Sequence, residues 1–121
     1  MQDVVIIGSG PAGLSAALYI LRGGFSVTVI GKDNGALEKA EKIENYFGLD
    51  HPLSGHELIE NGRKQVLDLG GTLLQDEVVG ISWNGNYLVS TASTQIETRA
   101  IILTTGTSRK TLKIKNLAQL E

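Results

Sequence analysis

The chain has 121 residues, enough for one compact domain and too few for two ordinary ones. Hydrophobic residues make up 41% and charged residues 20%, which predicts a packed core and excludes a disordered chain. A formal charge of −2 with a pI near 5.7 argues against a nucleic-acid surface, and the absence of cysteine excludes a disulfide scaffold, a thiolate metal site and a dithiol redox pair within this chain.

The apolar, β-branched run Asp3–Ile7 predicts a short buried strand of the parallel type. Pro11 suits the first turn of a helix, because its fixed φ and missing N–H cost nothing there. Leu14, Ala17, Leu18 and Leu21 recur at helical spacing, and Gly23-Gly24 stops the run. Ser26–Ile30 is a second β-branched run, so the first thirty residues make a βαβ unit with a right-handed crossover. The uncharged stretch Val4–Leu21 is not read as a membrane span or signal peptide: it has no basic leader and Gly8, Gly10, Pro11 and Gly13 interrupt it.

From Gly31 to Leu53 the apolar period is lost. One short helix-compatible piece, Ala36–Lys42, is the exception, and the charges of Glu38–Glu44 read as a solvated helical face. Ser54 stands three residues before Glu57, the spacing of a capping box. The following helix is expected to bury Leu58, Ile59, Gly62, Val66 and Leu69 and to end at Gly70-Gly71. Thr72–Gln75 predicts a third parallel strand. After Glu77 the period becomes two: Val79, Ile81 and Trp83 alternate, Asn84-Gly85 turns, and Tyr87, Val89 and Thr91 alternate back. Trp83, beside that turn, is read as a cross-strand packing residue. A second turn at Ala92–Thr94 leads to a strand whose last part, Ala100–Leu103, is solidly apolar. It is expected to leave an antiparallel meander and enter the buried sheet. The predicted fold class is therefore α/β: a Rossmann-like parallel sheet with helices plus an antiparallel β-meander.

Gly8-x-Gly10-x-x-Gly13 sits between strand and helix within this βαβ unit, the context of a dinucleotide fingerprint. Gly8 allows the tight turn out of the strand. Gly10 lets a pyrophosphate approach the backbone, and Gly13 lets the helix pack on the strand. The phosphates would then face free N–H groups at a helix N-terminus. The acid that usually holds the adenosine ribose is missing: Gly31 stands at that position, followed by Lys32 and Asp33. Because Lys32 suits a 2′-phosphate, NADP competes with other dinucleotides on this feature alone.

"VVIIGSGPAGLSAALYILRGG", "IENYFG", "LSGHELIENGRKQ" and "AIILTTG" occur here in one order. Together, from Met1 to about Leu112, they resemble the N-terminal FAD-binding segment of thioredoxin reductase-like flavoproteins of the pyridine nucleotide-disulfide oxidoreductase family. The resemblance implies that Gly8, Ser9, Gly10, Pro11, Ala12 and Gly13 surround the pyrophosphate of FAD. It implies that Thr105-Gly106 closes a second approach to the cofactor and that Asn45 lies near the flavin. Gly31 and Lys32 fall at the ribose end, and Ala36 and Leu37 in the stretch beside the flavin. There the family often has Gly-Gly-Gln-Leu, whereas this chain has Asn34-Gly35-Ala36-Leu37 and lacks the glutamine amide.

In the family the chain continues into an NADPH domain with a Cys-x-x-Cys pair and then a return segment that completes the FAD domain. None of these motifs occurs in this sequence, and Leu120-Glu121 has the look of an appended remnant. The expectation is a single, incomplete FAD-binding domain over residues 1–121. It would bind FAD weakly and not turn over NADPH by itself, with the NADPH site elsewhere in a full-length parent. That parent would pass electrons from NAD(P)H through FAD to a disulfide or similar acceptor. An NADP(H)-binding domain and a non-catalytic flavin-binding module, paired with a second copy or a separate chain, stand as alternatives. A cytoplasmic location is the default for a cysteine-free chain. His51 and His56 lack a third ligand in sequence and are read as surface or capping residues.

Overall fold

Strand β1 (Gln2–Ile7) is the centre of a sheet in a computed structural model that describes residues 1–33 and 35–106. The last residues of the family-like stretch, 107–112, and Leu120-Glu121 lie outside that range. Helix α1 (Pro11–Arg22) follows, then β2 (Val27–Gly31), a single 3₁₀ turn (Ala36–Lys39), helix α2 (Gly55–Asp68) and β3 (Thr72–Gln75). Three strands follow among the described residues: β4 (Val78–Trp83), β5 (Tyr87–Thr91) and β6 (Gln95–Leu103). The order across the sheet is β3-β2-β1-β6-β5-β4. β3, β2, β1 and β6 run parallel, while β6, β5 and β4 form the antiparallel meander.

Alternation along the parallel strands divides the core in two. Val27, Val29 and Ile6 face the helices and pack with Leu14, Ala17, Ile59 and Val66. Val5, Ile7 and Ile30 point the other way and are covered by Val89, with Val78 and Ile96 beside it. The meander therefore folds back over the sheet face that the helices leave bare. Its pivot is Thr98, which is opposite Tyr87 on β5 and opposite Gln2 on β1. The Thr98 side chain is fully buried, and its hydroxyl is satisfied by the carbonyls of Gln2 and Ala100, each at 3.1 Å.

The turns behave as their residues require. Asp3 and Ser26 exchange hydrogen bonds: the Ser26 amide donates to Asp3 Oδ2 at 2.9 Å and the Asp3 amide donates to Ser26 Oγ at 2.8 Å. The Ser26 amide and the Ser26 hydroxyl, which both donate to Asp3 Oδ2, hold the Asp3 carboxyl below its usual range. After β3, the hydroxyl of Ser93 bonds to Asp76, whose carboxyl is lowered to about 2 by Ser93, Thr91 and the Glu77 amide. Gly85 sits at φ +102 in the β4–β5 hairpin, and the Trp83 and Tyr87 rings meet across it at 4.7 Å.

Three expectations need correction. The helix-compatible Ala36–Lys42 forms only one 3₁₀ turn, because Ala40 gives its carbonyl to the Gly55 amide (2.7 Å) and Ile43 pairs with Leu53. Glu38 is not part of a solvated face: one of its carboxylate oxygens is sealed from water. Leu69, at the end of α2, is 46% exposed rather than part of the buried stripe. Val79, Ile81 and Trp83 share one exposed face of β4, as their alternation implies, and Trp83 packs across the hairpin on Tyr87.

Candidate functional site

The chain leaves β1 toward β2 and β3 on one side and returns as β6 on the other. The carboxyl ends of parallel neighbours thus open a crevice at the end of β1, where open α/β sheets take ligands. Gly8 turns out of β1 with φ +115, a conformation that disfavours other residues. Its amide donates to Ile30 O at 2.7 Å, while the Thr104 hydroxyl donates to the carbonyls of Ile7 and Gly8 at 3.1 Å. A Cβ on Gly8 would stand 2.1 Å from the Thr104 carbonyl oxygen, and one on Gly13 would stand 2.0 Å from the Gly8 carbonyl oxygen. The chain's own backbone therefore demands glycine at both places. Gly10 differs. It has φ −78 and ψ −170, extended backbone that any residue adopts.

The two helix starts also differ. At α2, Ser54 Oγ accepts the Glu57 amide at 3.1 Å, and Glu57 places a negative charge in the first turn. At α1, Gly10 is the N-cap, Pro11 opens the helix, no described side chain caps it and its first turn holds no acid. The first intrahelical donor is the Leu14 amide, bonded to Gly10 O at 3.1 Å, so the earlier N–H groups at Ala12 and Gly13 face the crevice without an intrahelical partner. Such an end favours an anion.

Beside this corner lies a cleft of about 470 Å³, lined among others by Ser9, Gly31, Lys32, Glu38, Arg63 and Gln75. Ser9 is buried, and its hydroxyl donates to the Asp33 carbonyl at 2.6 Å. A Cβ on Gly31 would lie 1.8 Å from Ser9 Oγ, so the side chain of Ser9 occupies the space a ribose-binding acid at position 31 would need. Lys32 lies 3.9 Å from Glu77 and is largely exposed.

The second approach is built as the strands dictate. Thr105 and Gly106, the latter at φ +68, continue β6 past Thr104 and so stand next to the Gly8 corner. Gly35 brings the next segment to the corner: a Cβ built on it would be 3.5 Å from Gly10 Cα. Ala36 is exposed and Leu37 half-buried against the helical core. Asn45 lies on the exposed loop between Ile43 and Leu53, and among the described residues no hydrogen bond joins it to the corner. His56 bonds to Glu38, whose carboxylate raises the imidazole pKa, and His51 bonds to Asp50 at 2.5 Å.

The family model for pyridine nucleotide-disulphide oxidoreductases matches residues 2–121. The chain belongs to the pyridine nucleotide-disulphide oxidoreductase family. It is 36% identical to the thioredoxin reductase of Streptomyces coelicolor and 34% identical to that of Aquifex aeolicus, over 96% and 95% of this chain. Those matches cover 38% and 37% of the relatives, so the chain spans a little over a third of their length. Among solved structures it superposes on the atypical thioredoxin reductase TRi of Desulfovibrio vulgaris Hildenborough with a TM-score of 0.84 and 40% identity, covering 98% of this chain and 40% of that one. For the thioredoxin reductase of Lactococcus lactis the TM-score is 0.87 at 32% identity, covering 94% and 38%.

As a member of this family the chain has the Rossmann-like fold read from its βαβ unit, and the four quoted motifs are those of a thioredoxin reductase-like FAD-binding segment. Thr104 and Glu38 were not singled out for the site by the sequence, and Ser9 was placed there without its contact to Gly31. Thr104 locks the Gly8 turn, Ser9 fills the ribose-acid position, and Glu38 walls the cleft. Thr104 adjoins the Thr105-Gly106 pair, which was its one available hint. No helix among the described residues is long and apolar enough to cross a membrane.

Proposed function

We propose that this chain is the FAD-binding portion of a thioredoxin reductase-like oxidoreductase. In the full protein, electrons would pass from NAD(P)H through FAD to a disulfide or similar acceptor. The observation that carries the reading is the open N-terminus of α1 beside Gly10, where a diphosphate meets N–H groups that no described side chain caps. FAD, when bound, supplies the hydride-accepting and electron-transferring chemistry. The residues of this chain hold it. Gly10, Pro11, Ala12 and Gly13 would take the pyrophosphate, and Thr105-Gly106 would flank it from β6. Asn45 and the Ala36-Leu37 turn would border the flavin, and Gly31 and Lys32 the adenosine. The NADP alternative rests on Lys32, a largely exposed side chain 3.9 Å from Glu77.

The test is Gly10→Val. Because residue 10 has unstrained backbone, the variant should keep the native circular dichroism while its branched side chain blocks the diphosphate. Flavin uptake, read by absorbance and fluorescence titration, should fall by about 100-fold, the equivalent of losing one or two charge-assisted hydrogen bonds. Undiminished uptake would overturn the proposal.

A further inference from the structure

We infer that residues 35–40 form a strap across the cofactor seat that a proton on His56 holds in place, so that FAD binds more tightly while the imidazole is protonated; the inference rests on the FAD reading above. The strap spans two helix starts. At its near end a Cβ on Gly35 would stand 3.5 Å from Gly10 Cα, at the N-terminus of α1. At its far end the Gly55 amide, in the first turn of α2, donates to Ala40 O at 2.7 Å. Between the two lie Ala36 and Leu37, the pair that borders the flavin in the FAD reading, and then Glu38.

The strap is held in two ways. The bond to Ala40 O and the packing of Leu37 on the helical core do not change with pH. The bond between His56 Nδ1 and Glu38 Oε1 does. Glu38 Oε2 is sealed from water and has no hydrogen-bond partner among the described residues, so the imidazole is the described partner of the whole carboxylate. An exposed ion pair would be worth little, but a carboxylate with one oxygen sealed depends on its partner. Facing a neutral imidazole, it is drawn toward water and carries the adjoining Leu37 and Ala36 backbone with it. The charged groups around the imidazole are Glu38 from the turn and Glu57 and Glu60 from α2, with Arg63 3.6 Å from Glu60. The hydrogen bond from Glu38 leads in raising the imidazole pKa above 6.5. The hold is therefore complete below the unfolded value and is lost as pH rises through the raised one. His56 acts through Glu38, as a positioning residue.

The experiment is a fluorescence titration of the chain with FAD at steps from about pH 6 to 8.5. Affinity should fall by about fivefold across that range, the difference between a charged and a neutral donor on one carboxylate. His56→Gln keeps a neutral donor and should bind FAD at the weaker level throughout. By reciprocity, FAD should raise the pH at which the His56 ring of the unaltered chain titrates by about 0.7, read from its NMR shifts. An affinity that does not change with pH, an equal fall in His56→Gln, or a His56 titration that FAD leaves in place overturns the inference. In each of these cases FAD binds, and the FAD reading stands. No uptake of FAD even at the acid end of the range removes that reading together with the strap.

Discussion

Gly8, Gly10 and Gly13 look alike in the fingerprint but answer to different neighbours. At Gly13 an added methyl meets the Gly8 carbonyl at 2.0 Å and the Thr104 hydroxyl at 2.8 Å, and neither can retreat without moving β1 or β6. Gly13→Ala is therefore expected to cost about 3 kcal/mol through overpacking. In a domain of this size that lowers Tm by about 12 °C in the absence of any nucleotide, measurable by calorimetry. Gly10→Val should change Tm by much less, since its cost in the free protein is that of a changed N-cap, about 1 kcal/mol. Equal losses of Tm in the two variants would contradict this division of labour. Glu38 belongs to the same scale: what sets it apart is the surroundings of one oxygen atom.

Between elements, the 3₁₀ turn is tied to the start of α2 by the Gly55 amide on Ala40 O (2.7 Å) and by the His56–Glu38 bond. A Cβ on Gly55 would lie 1.6 Å from the Leu37 carbonyl oxygen, so the two pieces sit backbone to backbone. The imidazole pKa is raised above 6.5, first by the Glu38 hydrogen bond and then by the charges of Glu38, Glu60 and Glu57. A folded-state pKa above the unfolded one means the protonated form is favoured by folding. The contribution is complete below the unfolded value and is lost as pH rises through the raised folded value. Tm measured from about pH 5 to 9 should therefore fall more for the native chain than for His56→Ala as the pH rises above the unfolded value of 6.5. Parallel curves would show that the pair does not fasten the turn.

At the scale of the whole molecule, the sheet is covered by helices on one face and by its own meander on the other. Val89 is the fully buried residue of that second contact, packed with Val5, Ile7 and Ile30. Val89→Ala should cost about 2 kcal/mol and lower Tm by about 8 °C. Hydrogen exchange should quicken in β4 and β5 more than in β1 and β2, because the meander can loosen while the parallel pairs persist. Uniform quickening would mean that the meander and sheet open as one unit.

The boundaries of β1, α1, β2, α2 and the hairpin were legible in the sequence because each depends on neighbours a few residues apart: β-branched runs, a Pro at a helix start, a Ser-x-x-Glu cap, an Asn-Gly turn. The glycine fingerprint was legible for the same reason, and its spacing with the three other motifs carried the family. Tertiary structure alone decided which glycines serve the fold. Gly8 is fixed by Thr104, 96 residues away, and Gly31 by Ser9 across two strands. It also decided that the Glu38 stretch is one turn bound to α2 instead of a solvated helix, and that Leu69 faces outward. Local periodicity records what a residue prefers beside its chain neighbours, whereas a carbonyl or a carboxylate brought in from a distant strand leaves no mark on that pattern.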